Sequence, residues 1–305
     1  MTTRTSPITE HIFSARELRN RGYSASTIRR LVLRKRLLTI YHGVYVRQSI
    51  WNSWSREEKE IARCVGYSKV AKDPIFTHLS AAHLYGLPTL SKSDFLHVAQ
   101  TSLCKKAPPG IRLHRYSFDI QKHSAATAHG VLATSPLQTV VDCSRVYGSL
   151  EGTVIADSAL KTMVNFAELQ AALTTVKGYG SARAKEVAER MSPHSESVGE
   201  SITRYRLHEF GFPAPEEQVS IRTPYGLFRP DFIWRDLRVI LEFDGRGKYQ
   251  DYGDTQQALI RERDREKALA NQGWIIVRVN WESVYLYPER LARDLKRAFV
   301  RARKL

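Results

Sequence analysis

The chain has 305 residues, 42% of them apolar and 26% charged, and 47 Lys and Arg against 31 Asp and Glu give it a net charge of +16. That length allows two or three domains with at least one sizeable core, and the composition excludes a mostly disordered chain. No run approaches ~18 apolar residues, no apolar leader opens the chain, and the isolated cysteines Cys64, Cys104 and Cys143 exclude a disulfide framework or a Cys-ligated zinc finger. A cytoplasmic location, no membrane, and a polyanionic partner, nucleic acid first, are the expectations.

Residues 1–50 hold ten Lys and Arg against two acids, half the net excess in a sixth of the chain. Ser14-Ala15-Arg16-Glu17 has capping-box spacing, so a helix is expected to about Asn20, stopping at Arg21-Gly22. A second helix should start at Ser24 or Ser26, where Ile28, Leu31 and Val32 make one apolar stripe. Its other face carries Arg29, Arg30, Arg34, Lys35 and Arg36. The β-prone runs around His42-Gly43 then read as a hairpin or wing. Two short helices, the second basic, followed by a wing form a winged helix-turn-helix pattern. In that reading Ser26, Thr27, Arg29 and Arg30 face double-stranded DNA, while Arg34, Lys35 and Arg36 hold phosphates.

The stretch ARELRNRGYSASTIRRLVLRKRLLTIYHGVYV resembles the winged-helix amino-terminal domain of AbiEi-type antitoxins. That resemblance implies promoter binding, with a toxin or defence-system protein as a further partner.

Residues 51–194 read as a mixed α/β connecting domain with little visible chemistry. Helices are expected over 54–70 and around Thr77–Pro88, strands near Phe95–Ala99 and Ile111–Tyr116, and helices again from Thr134 to Met191. His78 and His83 are five apart rather than the four that stacks two ligands, and no His-Glu-x-x-His occurs, so no metal site is expected there. Asp142 and Asp157 fall in helical patterns, where cap or surface roles are expected. THLSAAHLYGLP and VLATSPLQTVVDC resemble the region after the winged helix in AbiEi-type proteins, which implies regulation or interaction.

Residues 195–305 carry the densest signal. A helix over Ser195–Phe210 bears Glu200, a short strand covers Gln218–Ile221, and a strand over Leu227–Trp234 carries Arg229-Pro230-Asp231. Val239-Ile240-Leu241 then reads as a buried strand, yet it runs into Glu242 and Asp244, two carboxylates on one face. A two-residue loop at Asp236-Leu237 would place Asp231 opposite Glu242. Such acids need cations, donors or a metal, and hard oxygen ligands suit Mg²⁺ or Mn²⁺. A charged helix over Gln256–Asn271, a strand over Trp274–Val279 and a basic terminal helix complete an αβββαβ order.

This segment resembles the restriction-endonuclease-like PD-(D/E)XK superfamily, and its very-short-patch-repair branch in particular. The matching residues are Glu200, Gln218, Asp231, Glu242-Phe243-Asp244-Gly245 and Glu262…Arg265…Leu269…Gly273. The resemblance implies a metal-dependent endodeoxyribonuclease. Asp231, Glu242 and the Phe243 carbonyl would hold the metal, Asp244 would add a ligand, and Glu200 would contribute from the first helix. Asp244 stands where the superfamily has lysine, as in the close branch, so Lys248, Lys267 or Arg265 would supply the cation. The whole chain thus reads as multi-domain α+β and α/β, divided 1–50, 51–194 and 195–305. The main function is DNA cleavage in phage defence or DNA processing. The alternative is an AbiEi-like repressor or antitoxin with a non-cleaving nuclease-like domain, and a homodimer is a further possible partner.

Overall fold

The computed structural model describes residues 8–100, 107–224, 226–245 and 255–304, without the side chains of 255–262. It divides into two compact units, one running to Ile155 and including Thr162–Lys185, the other formed by Ala156–Lys161 and the residues from Glu186 onward.

The first unit opens with β1 (Ile12–Ser14), α1 (Ala15–Asn20), α2 (Ala25–Leu33), β2 (Leu37–Tyr41) and β3 (Val44–Arg47), and the strands form an antiparallel sheet in the order β1-β3-β2. The expected capping box is present: the Glu17 amide donates to Ser14 Oγ at 3.2 Å, and the Ser14 amide donates to Glu17 Oε2 at 2.5 Å. Gly22, at φ 87°, turns the chain between the helices, where a side chain would be strained. Ser24 caps α2. Leu18, Ile28 and Leu37 bury together beneath Phe13, Leu31, Val32 and Tyr45, so the predicted apolar stripe is the face that packs. Ile12 and Val44 join a larger buried cluster with Ala62, Cys64, Val65 and Phe76.

After α3 (Gln48–Ser53) and α4 (Arg56–Ser68) comes a five-stranded sheet. Its strands are β4 (Ile75–Phe76), β5 (Leu96–Ala99), β6 (Ile111–His114), β7 (Ser124–Ala126) and β8 (Leu132–Thr134), in the order β6-β5-β4-β8-β7. Helix α5 (His78–Leu84) links β4 to β5, and β5 and β6 run parallel. Helices α6 (Pro136–Val146) and α8 (Phe166–Thr175) follow in this unit, while α7 (Ser149–Leu160) and α9 (Ser181–Arg190) each begin in it and end among the residues of the second. Asp142 and Asp157 are not surface residues. Asp142 accepts hydrogen bonds from Tyr116 at 2.5 Å and Gln138 at 2.8 Å, and Asp157 accepts the Ser192 amide at 2.8 Å and pairs with Arg204 within the second unit.

The second unit contains α10 (Val198–Glu209), β9 (Glu216–Glu217), β10 (Ile221–Thr223), β11 (Gly226–Phe228), β12 (Phe232–Trp234), β13 (Val239–Asp244), α11 (Thr255–Asn271), β14 (Ile275–Asn280) and α12 (Pro288–Ala302). Its main sheet has the order β14-β13-β12-β9, with β13 and β14 parallel and the other pairs antiparallel. Strands β10 and β11 pair separately. Two expected strands are therefore divided. Pro230 has no amide to give a ladder, and the chain breaks between β11 and β12 around it. The run from Gln218 is interrupted because Gln218 itself stands at φ 55°, outside strand geometry. On α12, Leu291, Leu295 and Phe299 bury while Arg293, Lys296, Arg297 and Arg301 stay exposed, so the terminal basic cluster is a solvated helix face.

Candidate functional site

Two surfaces hold the residues singled out by sequence, one in each unit. In the first, Ser26, Arg29 and Arg30 are exposed on α2, and Arg34, Lys35 and Arg36 are exposed in the turn that follows it. Lys35 sits at φ 51°, which turns the chain sharply between α2 and β2. Thr27 is half-buried: its hydroxyl lies 2.9 Å from that of the cap residue Ser24, which also accepts the Thr27 amide at 3.1 Å. Thr27 therefore holds the start of the helix. Ser26 is likewise 2.9 Å from Ser24, so the capping serine gathers both neighbours. The helix pair and the hairpin enclose a concavity of about 340 Å³ lined by Arg19, Arg29, Val32, Leu33, Thr39 and His42.

In the second unit, residues from α10, the Gln218 bend, β12, β13, α11 and β14 meet at one end of the sheet. The ladder pairs Phe232 with Leu241 and Trp234 with Val239, closing on the turn at Asp236-Leu237. One step further along that register Asp231 faces Glu242. Asp231 Oδ2 accepts the Phe243 amide at 2.8 Å, and Oδ1 lies 3.3 Å from the Gln218 side-chain nitrogen, which also donates to Glu200 Oε2 at 3.1 Å. Glu200 is fixed in turn by the Glu196 amide at 2.7 Å and the Ser197 hydroxyl at 2.8 Å. Gln218 thus bridges two carboxylates, and its left-handed backbone conformation is retained at that bridge.

Burial pushes the Asp231 carboxyl up to about 6, the Phe243 amide and Gln218 oppose that rise, and the negative charges of Glu200 and Glu242 add to it. Its pKa in the folded chain exceeds the unfolded value, so between about pH 4 and pH 6 the folded state holds the extra proton. Stability from this group is lost as pH rises through that window. The stability of wild type relative to Asp231→Asn should therefore fall by about 1–3 kcal/mol between pH 4 and pH 7. Denaturant unfolding of both proteins at the two pH values measures this, and a constant difference would remove Asp231 as a strained acid.

Glu242 has cations beside it: Arg278, its partner in the parallel β13–β14 register, at 3.4 Å and Arg265 of α11 at 3.9 Å. Arg278 also pairs with Glu266 at 2.6 Å, and Arg265 lies over the Phe228 ring at 4.3 Å. Asp244 is half-buried at the end of β13, opposite Asn280. Lys267 is exposed and two residues from Arg265, hence on a different helix face. Lys248 lies outside the described residues. Sequence reasoning noted Gln218 as a matching residue without giving it a role and left Arg278 out, and only the strand register could have placed Arg278. A cleft of about 690 Å³ reaches Gln218 from Lys161, His194, Glu196, Glu217 and Arg229.

The donor set tests the Mg²⁺ expectation. Asp231, Glu242 and Asp244 do not close on a point as three ligands: among the described residues, the one cluster whose ligand atoms all lie within 4.8 Å is made of histidines. Mg²⁺ commonly takes only one or two carboxylates and keeps several waters. Two hard carboxylates facing each other, one of them ionised with difficulty, fit such an ion.

Residues 9–48 match the family model described as a transcriptional regulator, AbiEi antitoxin. The amino-terminal segment carries an AbiEi-type regulator domain. Over 228 residues the chain is 28% identical to two uncharacterized proteins of Mycobacterium tuberculosis, Rv2248 of strain H37Rv and MT2308 of strain CDC 1551, covering 73% of this chain and 80% of each of those. The crystal structure of the RV2827C protein from Mycobacterium tuberculosis superposes with a TM-score of 0.41 at 14% identity, covering 70% of this chain and 84% of that one. At that level it assigns no fold. Among the described residues no helix is long and apolar enough to cross a membrane.

Proposed function

We propose that the chain is a regulator that binds duplex DNA through its amino-terminal winged helix-turn-helix. The observation that carries this is the disposition of charge on α2. Its apolar stripe is used up against α1 and β2, which leaves Arg29 and Arg30 on the outer face and Arg34, Lys35 and Arg36 beyond its end, next to the hairpin. Guanidinium and ammonium groups so placed meet phosphates on either side of a groove that a helix enters. The match of residues 9–48 to an antitoxin regulator supports the same reading and makes a toxin the natural protein partner.

The test is salt-dependent binding to duplex DNA, since each phosphate contact contributes ~0.9 to the slope of log affinity against log salt. Changing Arg29, Arg30, Arg34, Lys35 and Arg36 to alanine should weaken binding and flatten the slope by several units. Ser26→Ala should leave the slope unaltered. A slope unchanged in the five-fold variant would mean that this face does not touch DNA.

A second reading, metal-dependent hydrolysis of DNA by the second unit, is favoured by the juxtaposition of Glu200, Gln218, Asp231 and Glu242. The β9-β12-β13-β14 sheet flanked by α10 and α11 supports a restriction-endonuclease-like domain. Asp231 and Glu242 would hold Mg²⁺ or Mn²⁺, with the Phe243 carbonyl as a further ligand and Asp244 holding a water of the ion. The ion would supply a water of lowered pKa and neutralise charge on the scissile phosphate. The chain's own part is positional. Gln218 and the Phe243 amide fix the Asp231 carboxylate, Ser197 and the Glu196 amide fix Glu200, and Arg265 and Arg278 bring positive charge to a cluster that would otherwise repel DNA. Cleavage of plasmid DNA with and without metal tests this reading.

A further inference from the structure

His78, His97 and His114 come from three elements of the first unit: the start of α5, strand β5 and strand β6. One nitrogen from each lies within 4.8 Å of the other two. His97 Nδ1 and His114 Nε2 are 2.8 Å apart, and the His78 and His114 rings stack with centroids 3.7 Å apart. The rings are tilted from one another by 27°, 29° and 30°. We propose that these three histidines form a binding site for a divalent transition-metal ion of the zinc class.

Imidazole nitrogen is the preferred donor for Zn²⁺, Co²⁺, Ni²⁺ and Cu²⁺ and a poor one for Mg²⁺, so this site and the acidic one select different ions. A tetrahedral ion with bonds of ~2.0–2.1 Å separates its nitrogens by about 3.3 Å. The His97–His114 pair needs to open only by a few tenths of an ångström to reach that spacing, and His78 swings from its stack to meet the ion.

The surrounding groups have the arrangement of an outer shell. His97 Nε2 is 2.9 Å from both Ser93 Oγ and Tyr147 Oη, while Nδ1, 3.4 Å from the same Tyr147 hydroxyl, is turned toward His114. His78 Nδ1 is 2.9 Å from Thr77 Oγ1, which leaves Nε2. Such contacts fix ring orientation and tautomer in histidine metal sites. His78 and His97 are buried and His114 is half-buried, so the cluster is shielded from bulk water. His78 stands at φ 52° at the first position of a helix, a conformation costly for a residue with a Cβ, and it is this conformation that carries the ring in this position. His83, five residues from His78 in sequence, is not part of the cluster.

The experiment uses the full chain stripped of metal with a chelator, then titrated with Zn²⁺ alone and Co²⁺ alone in excess Mg²⁺. One equivalent per chain should bind, Co²⁺ should develop the visible absorption of a four-coordinate nitrogen site, and Zn²⁺ should raise the unfolding temperature. His97→Ala and His114→Ala should each lose ~100-fold or more in affinity, Tyr147→Phe about 10-fold, and His83→Ala nothing. Should a histidine variant fail to fold, imidazole resonances of wild type decide: Zn²⁺ should move those of His78, His97 and His114 and leave His83 in place. Absence of a stoichiometric equivalent, its survival in both alanine variants, or shifts confined to other histidines would overturn the site.

Discussion

Gly199→Ala should destabilise the second unit by about 1–3 kcal/mol, although the same change in an open helix is worth about 1 kcal/mol in the opposite direction. Gly199 is the second residue of α10, and the Phe243 ring occupies the space a side chain would need: a Cβ there would stand 2.0 Å from Cε1 and 2.1 Å from Cζ. No rotation of the methyl group relieves such an overlap, so the ring or the helix must move. Either displacement reaches the candidate site directly. The Phe243 amide holds Asp231, and the residue after Gly199 is Glu200, which Gln218 ties to Asp231. Chemical denaturation of the full chain followed by circular dichroism measures the loss. The double variant Gly199→Ala with Phe243→Leu should recover much of it, because a smaller side chain vacates the volume. If the single variant is as stable as wild type, the contact between α10 and β13 does not set the site geometry.

The sequence made local features legible and left the long-range ones hidden. Ser14 and Glu17 announce their own helix because both partners of the capping box lie within four residues. The hairpin turn at Asp236-Leu237 could be placed for the same reason, since two strands joined by a short loop have only one register that buries Phe232, Ile233, Ile240 and Leu241. From that register alone Asp231 and Glu242 were expected face to face. Gln218 read as a strand residue, because nothing in its neighbours signals a left-handed backbone. Pro230 did carry a signal, the missing amide, that argues for two strands rather than one. Arg278 was unreadable in its role: β13 and β14 are parallel, and no short turn joins them to fix their offset. The histidine cluster was hidden most completely. His78 and His83 share a helix and drew attention by spacing, whereas the partners of His78 lie on β5 and β6, brought together by a parallel pairing that no periodicity records.

If the second unit hydrolyses DNA with a metal, Glu242→Ala should abolish Mg²⁺-dependent nicking of supercoiled plasmid and leave duplex binding near wild type. The side chain faces Asp231 across the β12–β13 pair and bears on its charge, so its loss removes a ligand from the proposed site. It also removes the acid between Arg265 and Arg278, and Glu266 still holds Arg278, so α11 stays linked to β14. The amino-terminal winged helix is untouched, and the gain of one positive charge can only favour DNA. A variant that neither cuts nor binds would therefore have lost its structure rather than its chemistry, and circular dichroism separates those outcomes. Arg265→Ala and Arg278→Ala test which cation would serve the proposed hydrolysis, with Lys248→Ala and Lys267→Ala beside them. The group that stabilises charge on the phosphate should cost about 10²-fold in rate, equal to ~2.7 kcal/mol of transition-state stabilisation. Arg265 and Arg278 are the two that stand at Glu242, and Lys267, turned to another face of α11, should have no effect. If none of the four matters while Glu242 does, the water is activated without a protein cation. If wild type cuts neither duplex nor single-stranded DNA with Mg²⁺ or Mn²⁺, Asp231 and Glu242 hold a fold together, and the protein acts through its winged helix alone.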